Sequence, residues 1–178
     1  MDYSTKSISR ADLRKLAPIF RFLFGVKNTG PFPVLYALEE LPDVFSGCNY
    51  IVVPDDELPP KTMARCYRND NPDGYTIEIR TSVYEGAYDG IGAFLGFICH
   101  ELCHIFLFKL GFTPIHARSF DDNELPAYCS VEWQAKALTG EVMIPREESK
   151  GMCESEIMDY YHVSQGFADH RLGIKHRW

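Results

Sequence analysis

The sequence predicts an α+β domain in which helices flank a small, mainly antiparallel three-stranded sheet and a helical tail closes the chain. Three observations carry this. Apolar residues Leu13, Leu16, Phe20, Leu23 and Phe24 recur at helical spacing. Between Ala64 and Arg80 two short β-prone runs flank a turn signal. From Ile91 onward long helical patterns return and continue to the tail.

Taken in order, Ser9 followed by Asp12 is a capped start, and the run to about Gly25 makes the first amphipathic helix. Asn28 to Pro31 breaks it. Pro33 to Leu41 reads as a short helix opened by a proline and closed before Pro42. Asn49 to Val53 is β-branched and aromatic, hence a strand, ended by Pro54. Ala64 to Arg68 and Tyr75 to Arg80 flank Asn71-Pro72-Asp73-Gly74 as a hairpin, with Ile77 and Ile79 on its buried face. Gly86 to Gly90 reads as a loop. A long apolar helix follows from about Ile91 to Leu110, stopped by Gly111 and Pro114. His116 to Pro126 is polar and irregular, and a helix from about Ala127 to Glu141 carries Val131, Ala135, Leu138 and Val142 at core spacing. Two helical pieces, Ser155 to Tyr161 and Ser164 to about Leu172, make the tail. The expected division is a domain over 1–150 and a helical tail over 151–178 packed on it.

Composition narrows the function. The 178 residues are 46% hydrophobic and 24% charged, which excludes disorder as the main state. A net charge of −7 is the wrong sign for a phosphate-backbone binder, so no direct nucleic-acid partner is expected. Only His170, Arg171, Lys175, His176 and Arg177 form a locally basic segment. Six dispersed cysteines, with no C-x-x-C pair, read as reduced thiols in a cytoplasmic protein. Ile91 to Leu110 has the length of a membrane span, yet His100, Glu101 and His104 sit at its middle. Charges there cost about 2.5–3.5 kcal/mol each, so a core helix bearing a polar site is the better reading and no membrane partner is expected.

That site is His100-Glu101-Leu102-Cys103-His104. Histidines at i and i+4 project from one helix face, so both imidazoles can reach one ion. Glu101 points about 100° away, where it misses the ion but reaches a water beside it. A metal hydrolase needs that arrangement, because the ion acidifies the water and the carboxylate takes its proton. A third protein ligand is required. Leu107 and Leu110 exclude the metzincin pattern. His116, Glu124 and Glu132 are the candidates: Glu132 is preferred because it would face the first site helix if the two helices pack, and Glu124 is the runner-up. Zinc is the expected ion, with manganese or iron compatible with two histidines and a carboxylate. Tyr128 and His116 are the candidate oxyanion donors, and Tyr75 to Arg80 is read as an edge strand on which an extended substrate could pair.

Together with Glu132-Trp133-Gln134-Ala135-Lys136-Ala137-Leu138 and Glu141-Val142-Met143-Ile144-Pro145, this string resembles the ImmA/IrrE-type metallopeptidases. Their pattern is H-E-L-G-H, then a helix reading E-x-E-A-N-x-F-A-A-E-L-L-M-P. The resemblance runs from about Asn49 to the end and includes Ile157 to Ser164 and Arg171-Leu172 in the tail. It implies a zincin-like fold, zinc held by His100, His104 and Glu132, and Glu101 as catalytic base. It further implies a protein substrate, commonly a helix-turn-helix repressor whose cleavage derepresses genes of a mobile element or stress response. Three departures stand out: Cys103 for glycine, Gln134 for the second glutamate, and Lys136 for an amide or acid able to support a zinc histidine. Asp121, Asp122 and Asn123 are the candidate substitutes for that support. The alternative function is a metal-binding regulatory module that grips a repressor or partner without cutting it.

Overall fold

A computed structural model describes residues 3–115 and 125–174. Among these the chain forms α1 (Arg10–Leu23), α2 (Val34–Glu39), α3 (Leu41–Val44), β1 (Asn49–Val53), β2 (Ala64–Arg68), β3 (Tyr75–Arg80), α4 (Thr81–Tyr88), α5 (Gly92–Lys109), α6 (Val131–Met143), α7 (Glu154–Tyr161) and α8 (Gln165–Leu172). This is the expected α+β class. Ser9 caps α1 by accepting the Asp12 backbone N–H at 3.1 Å. That bond satisfies one of the N–H groups a helix start leaves without an intrahelical partner.

The sheet order is β1-β3-β2, with β2 antiparallel and β1 parallel to β3. The sheet is therefore mixed rather than mainly antiparallel, and Tyr75–Arg80 is its centre rather than an edge. Alternation of burial along a strand identifies its faces but carries no information about its neighbours' directions. Central placement explains why Thr76 is buried alongside Ile77 and Ile79. Its hydroxyl donates to Asn49 Oδ1 at 2.6 Å and accepts from Asn69 Nδ2 at 3.1 Å.

Other boundaries differ from expectation in instructive ways. The supposed loop at Gly86 to Gly90 begins inside α4, where Gly86 is buried with Phe94 packed over it. Tertiary packing overrides glycine's poor helix propensity there. The second site helix does not start at Ala127. A 3-10 turn spans Ala127–Cys129, and α6 starts after Ser130, whose hydroxyl accepts the Trp133 N–H at 2.8 Å. Pro42 does not follow the helical region but opens α3, where a proline's missing N–H is harmless.

The core joins α1, α5 and α6 to the inner face of the sheet through residues such as Leu13, Phe20, Ile77, Ile98, Leu102 and Leu138. α5 is long and apolar enough to cross a membrane by composition. Here α2, α4, α6, β2 and β3 pack around it. Arg21, which interrupts the apolar run of α1, is wholly buried. Its guanidinium donates to the carbonyls of Lys27, Thr29, Gly30 and Val142 at 2.7–2.9 Å and lies over the Phe32 ring.

The tail is tied to the body at the first residue of α5. A Cβ on Gly92 would lie 2.6 Å from the Val163 carbonyl carbon and 2.8 Å from both His162 O and Ser164 N. These are backbone atoms of the α7–α8 turn and cannot swing aside. Gly92→Ala is expected to lose about 1–3 kcal/mol of stability by overpacking, read as a lower urea midpoint.

Candidate metal centre

Two elements build the site. α5 presents His100 and His104 one turn apart, with ring centroids 4.5 Å apart and planes at 88°. His104 is further stacked on Phe108 at 5.5 Å. α6, packed on α5, brings Glu132 in its first turn to the same point.

The N-terminal segment holds the start of α6 in place. Thr5 N donates to Cys129 O at 2.8 Å, Val131 N to Tyr3 O at 3.0 Å, and Ile115 N to Ser4 O at 2.7 Å. Gln134 completes this strap. Its side-chain amide donates to Lys6 O at 2.7 Å and Tyr128 O at 2.9 Å. A carboxylate at that position could not donate to two carbonyls, so this departure from the family pattern has a structural purpose.

The ligand atoms of three residues converge. His100 Nε2 lies 3.0 Å from His104 Nε2 and 3.2 Å from Glu132 Oε2, and His104 Nε2 lies 3.5 Å from Glu132 Oε1. Donors held about 2.0–2.2 Å from a tetrahedral ion would be about 3.3–3.6 Å apart, so the triangle of these three residues is slightly tighter than one face of such a site. Neutral imidazoles turning lone pairs toward a carboxylate repel one another unless a proton or cation lies among them. Hydrogen bonding with His100, then His104, holds the Glu132 carboxyl far below the usual carboxylate range against the opposing effect of burial. Its side chain remains 56% exposed, so the cluster opens to solvent on one side, as a catalytic ion requires. Among the described residues these three are the group able to hold a metal.

Glu101 stands apart from the triangle, 9% exposed. Burial raises its pKa, His104 and His100 oppose this, Glu132 adds to it, and the backbone N–H of Cys66 donates to its carboxyl. A carboxyl so placed is a better proton acceptor than one in water. The cleft around it has a volume of about 790 Å³ and is lined by Glu101, His104, Glu132, Tyr3 and the β2 residues Ala64 to Cys66. Cys66 is not among the converging donors, and burial and Glu101 push its thiol up. Cys103 is fully buried and, like the other five cysteines, unbridged.

Several sequence expectations change. The strand beside the cleft is β2, a true sheet edge, rather than β3. Tyr128 lines a separate hollow with Ser7, Ile8 and Trp133, so it is not brought to the cleft. Tyr3 is, although nothing in its sequence surroundings marks it; only its pairing beside residues 129–131 puts it there. His116, Glu124, Asp121, Asp122 and Asn123 lie outside the described residues. Lys136 is exposed, while His104 Nδ1 is buried without a hydrogen-bond partner among the described residues.

The family model described as Peptidase_M78, IrrE N-terminal-like domain, matches residues 96–173, a stretch that begins within α5 and runs to the end of α8. No curated protein matches the chain. The matched stretch, somewhat less than half of the chain, holds the two histidines, the intervening glutamate and the α6 carboxylate in one packed unit, and over it the chain is similar to the IrrE-type metallopeptidases.

Proposed function

We propose that the chain is a zinc-dependent endopeptidase that hydrolyses a peptide bond in a protein substrate, with His100, His104 and Glu132 as ligands and Glu101 as general base. The observation that carries this is the triangle of three donor residues beside a separate, buried carboxyl. A divalent ion held there supplies Lewis acidity, acidifying water and polarising a carbonyl. The chain's own residues do the rest. The edge of β2 aligns an extended segment across the cleft by strand addition. Glu101 accepts the proton of the attacking water on its carboxylate and returns it to the leaving amine. The Tyr3 phenol, on the cleft wall, is the candidate donor to the oxyanion in place of Tyr128.

The proposed substrate is a helix-turn-helix repressor in the cytoplasm, with relief of transcription as the outcome; support for this comes from the family resemblance. Incubating the chain with zinc and a repressor encoded beside its gene should yield discrete fragments, and a chelator should abolish them. An intact repressor after prolonged incubation would overturn the endopeptidase reading. His104 Nδ1, which has no hydrogen-bond partner among the described residues, favours a second reading, a metal-binding module that grips without cutting. A stable complex with no fragments would select it.

Glu132→Ala tests the ligand set directly. It is expected to weaken zinc retention by more than about a hundredfold, measured by competition with a chromogenic chelator. Retention like that of the parent protein would remove Glu132 from the site.

A further inference from the structure

A second concavity shares no lining residue with the metal cleft. Its volume is about 500 Å³, and its basic walls come from three elements: Arg10 and Arg14 of α1, Arg146 and Lys150 of the turn after α6, and His170 and Arg171 of α8. Beneath it is Glu141, whose side chain is 1% exposed. Arg10 Nε, Arg14 Nε and Arg171 NH1 reach this one carboxylate at 3.4, 3.3 and 3.1 Å.

A purely structural clamp would balance its charges, and this one does not. Three guanidinium groups share one carboxylate, leaving two positive charges in excess. Arg146 adds a third, and Lys150 is paired with Glu147 at the exposed rim. This surplus sits in a chain whose net charge is −7. Arg171 is the anchor of the floor: its side chain is 9% exposed, NH2 donates to Gly140 O at 2.7 Å, and its Nε is buried with no acceptor among the described residues. Like charges crowded into a concave, partly desolvated place repel one another strongly unless an anion joins them.

We propose that this hollow is a binding site for the phosphate group of a small phosphorylated molecule. Arg171 is committed to Glu141 and the carbonyls of Gly140 and Ile144, whereas the partly exposed guanidinium groups of Arg10 and Arg14, with Arg146 at the rim, offer planar donors that match the tetrahedral oxygens of a phosphate ester in a way that point charges do not. The volume lies in the range of small-molecule sites, about 300–1,000 Å³. The cations converge on one hollow rather than following a stripe, and the chain is acidic as a whole, which argues for a compact ligand over a duplex. The field of the cluster is also felt by His170, whose pKa is lowered by burial first and then by Arg10, Lys136 and Arg171. The site does not depend on the metal centre.

The test is calorimetric titration of the full chain with inorganic phosphate, AMP and adenosine, repeated on the rim variant Arg146→Glu/Lys150→Glu and on Arg146→Ala. Both rim residues are exposed and neither bonds Glu141 among the described residues, so the clamp beneath stays intact. Saturable binding of phosphate and AMP, none of adenosine, and a loss of at least about tenfold in the double variant are expected, with an intermediate loss in Arg146→Ala. No binding of phosphate or AMP up to about 10 mM, where even a millimolar site would fill, overturns the proposal. So does binding that survives the charge reversal, which would place the phosphate elsewhere. A duplex oligonucleotide that binds without competition from AMP also overturns it, in favour of a nucleic-acid surface.

Discussion

Glu101→Gln is expected to lower cleavage by the proposed peptidase by roughly 10²–10⁴-fold while leaving zinc content and thermal stability unchanged. Glutamine keeps the shape of the side chain and can still accept the Cys66 backbone N–H, but it cannot take a proton from water. Because Glu101 is not among the three converging ligand atoms, metal binding should persist. Stability should not fall either, since a buried carboxyl that carries a desolvation cost is replaced by a neutral amide. Elemental analysis, a melting curve and a fragment assay on one preparation separate these effects. Cleavage at the parent rate would show that another group removes the proton. Loss of zinc together with loss of cleavage would instead mean that Glu101 holds the ion.

Arg21→Met is expected to have the largest effect on stability, about 3–5 kcal/mol, a large share of the 5–15 kcal/mol typical of a domain. Methionine can fill much of the apolar space beside Phe32 and leaves helix propensity nearly unchanged. What is lost is a set of charge-assisted bonds to four carbonyls: Lys27, Thr29 and Gly30 in the turn after α1, and Val142 in the last turn of α6. Buried carbonyls without donors cost about 1–3 kcal/mol each, less wherever water can enter. Arg21→Lys should recover only part of the loss, since an ammonium is a compact point charge and cannot reproduce the spread of a guanidinium fork. Urea denaturation of the three proteins checks this. A midpoint for Arg21→Met within experimental error of the parent would mean that the α1–α6 junction does not depend on this residue. The variant also separates folding from chemistry, because the Arg21 carbonyl partners lie outside the metal cleft.

Much of the molecule was legible in the chain itself because it rests on local spacing. The Ser9 cap, the β1 to β3 limits, the long helix α5 and the two tail helices follow from caps, turn residues and apolar periodicity within a few residues of one another. The pairing of His100 with His104 is equally local, since four residues along a helix fix one face.

Everything that depended on distant segments meeting was decided by tertiary structure. Whether β3 is an edge or a centre depends on a parallel partner 27 residues upstream, which strand alternation does not encode. That the Glu132 carboxylate comes within 3.5 Å of the imidazoles depends on how α6 packs against α5 and on an N-terminal strap bonded to residues 128–134. Tyr3 reached the cleft, and Tyr128 left it, for the same reason. Arg21 looked like an interruption of an apolar stripe until the carbonyls it serves were brought around it. The basic hollow is invisible to a linear count of charge, because Arg10 and Arg14 lie more than a hundred residues from its other cations and are gathered with them only when α8 folds back beside α1 around Glu141. Sequence spacing specifies which side chains share a helix face or a strand face. Packing of one element on another is what makes those faces into a site.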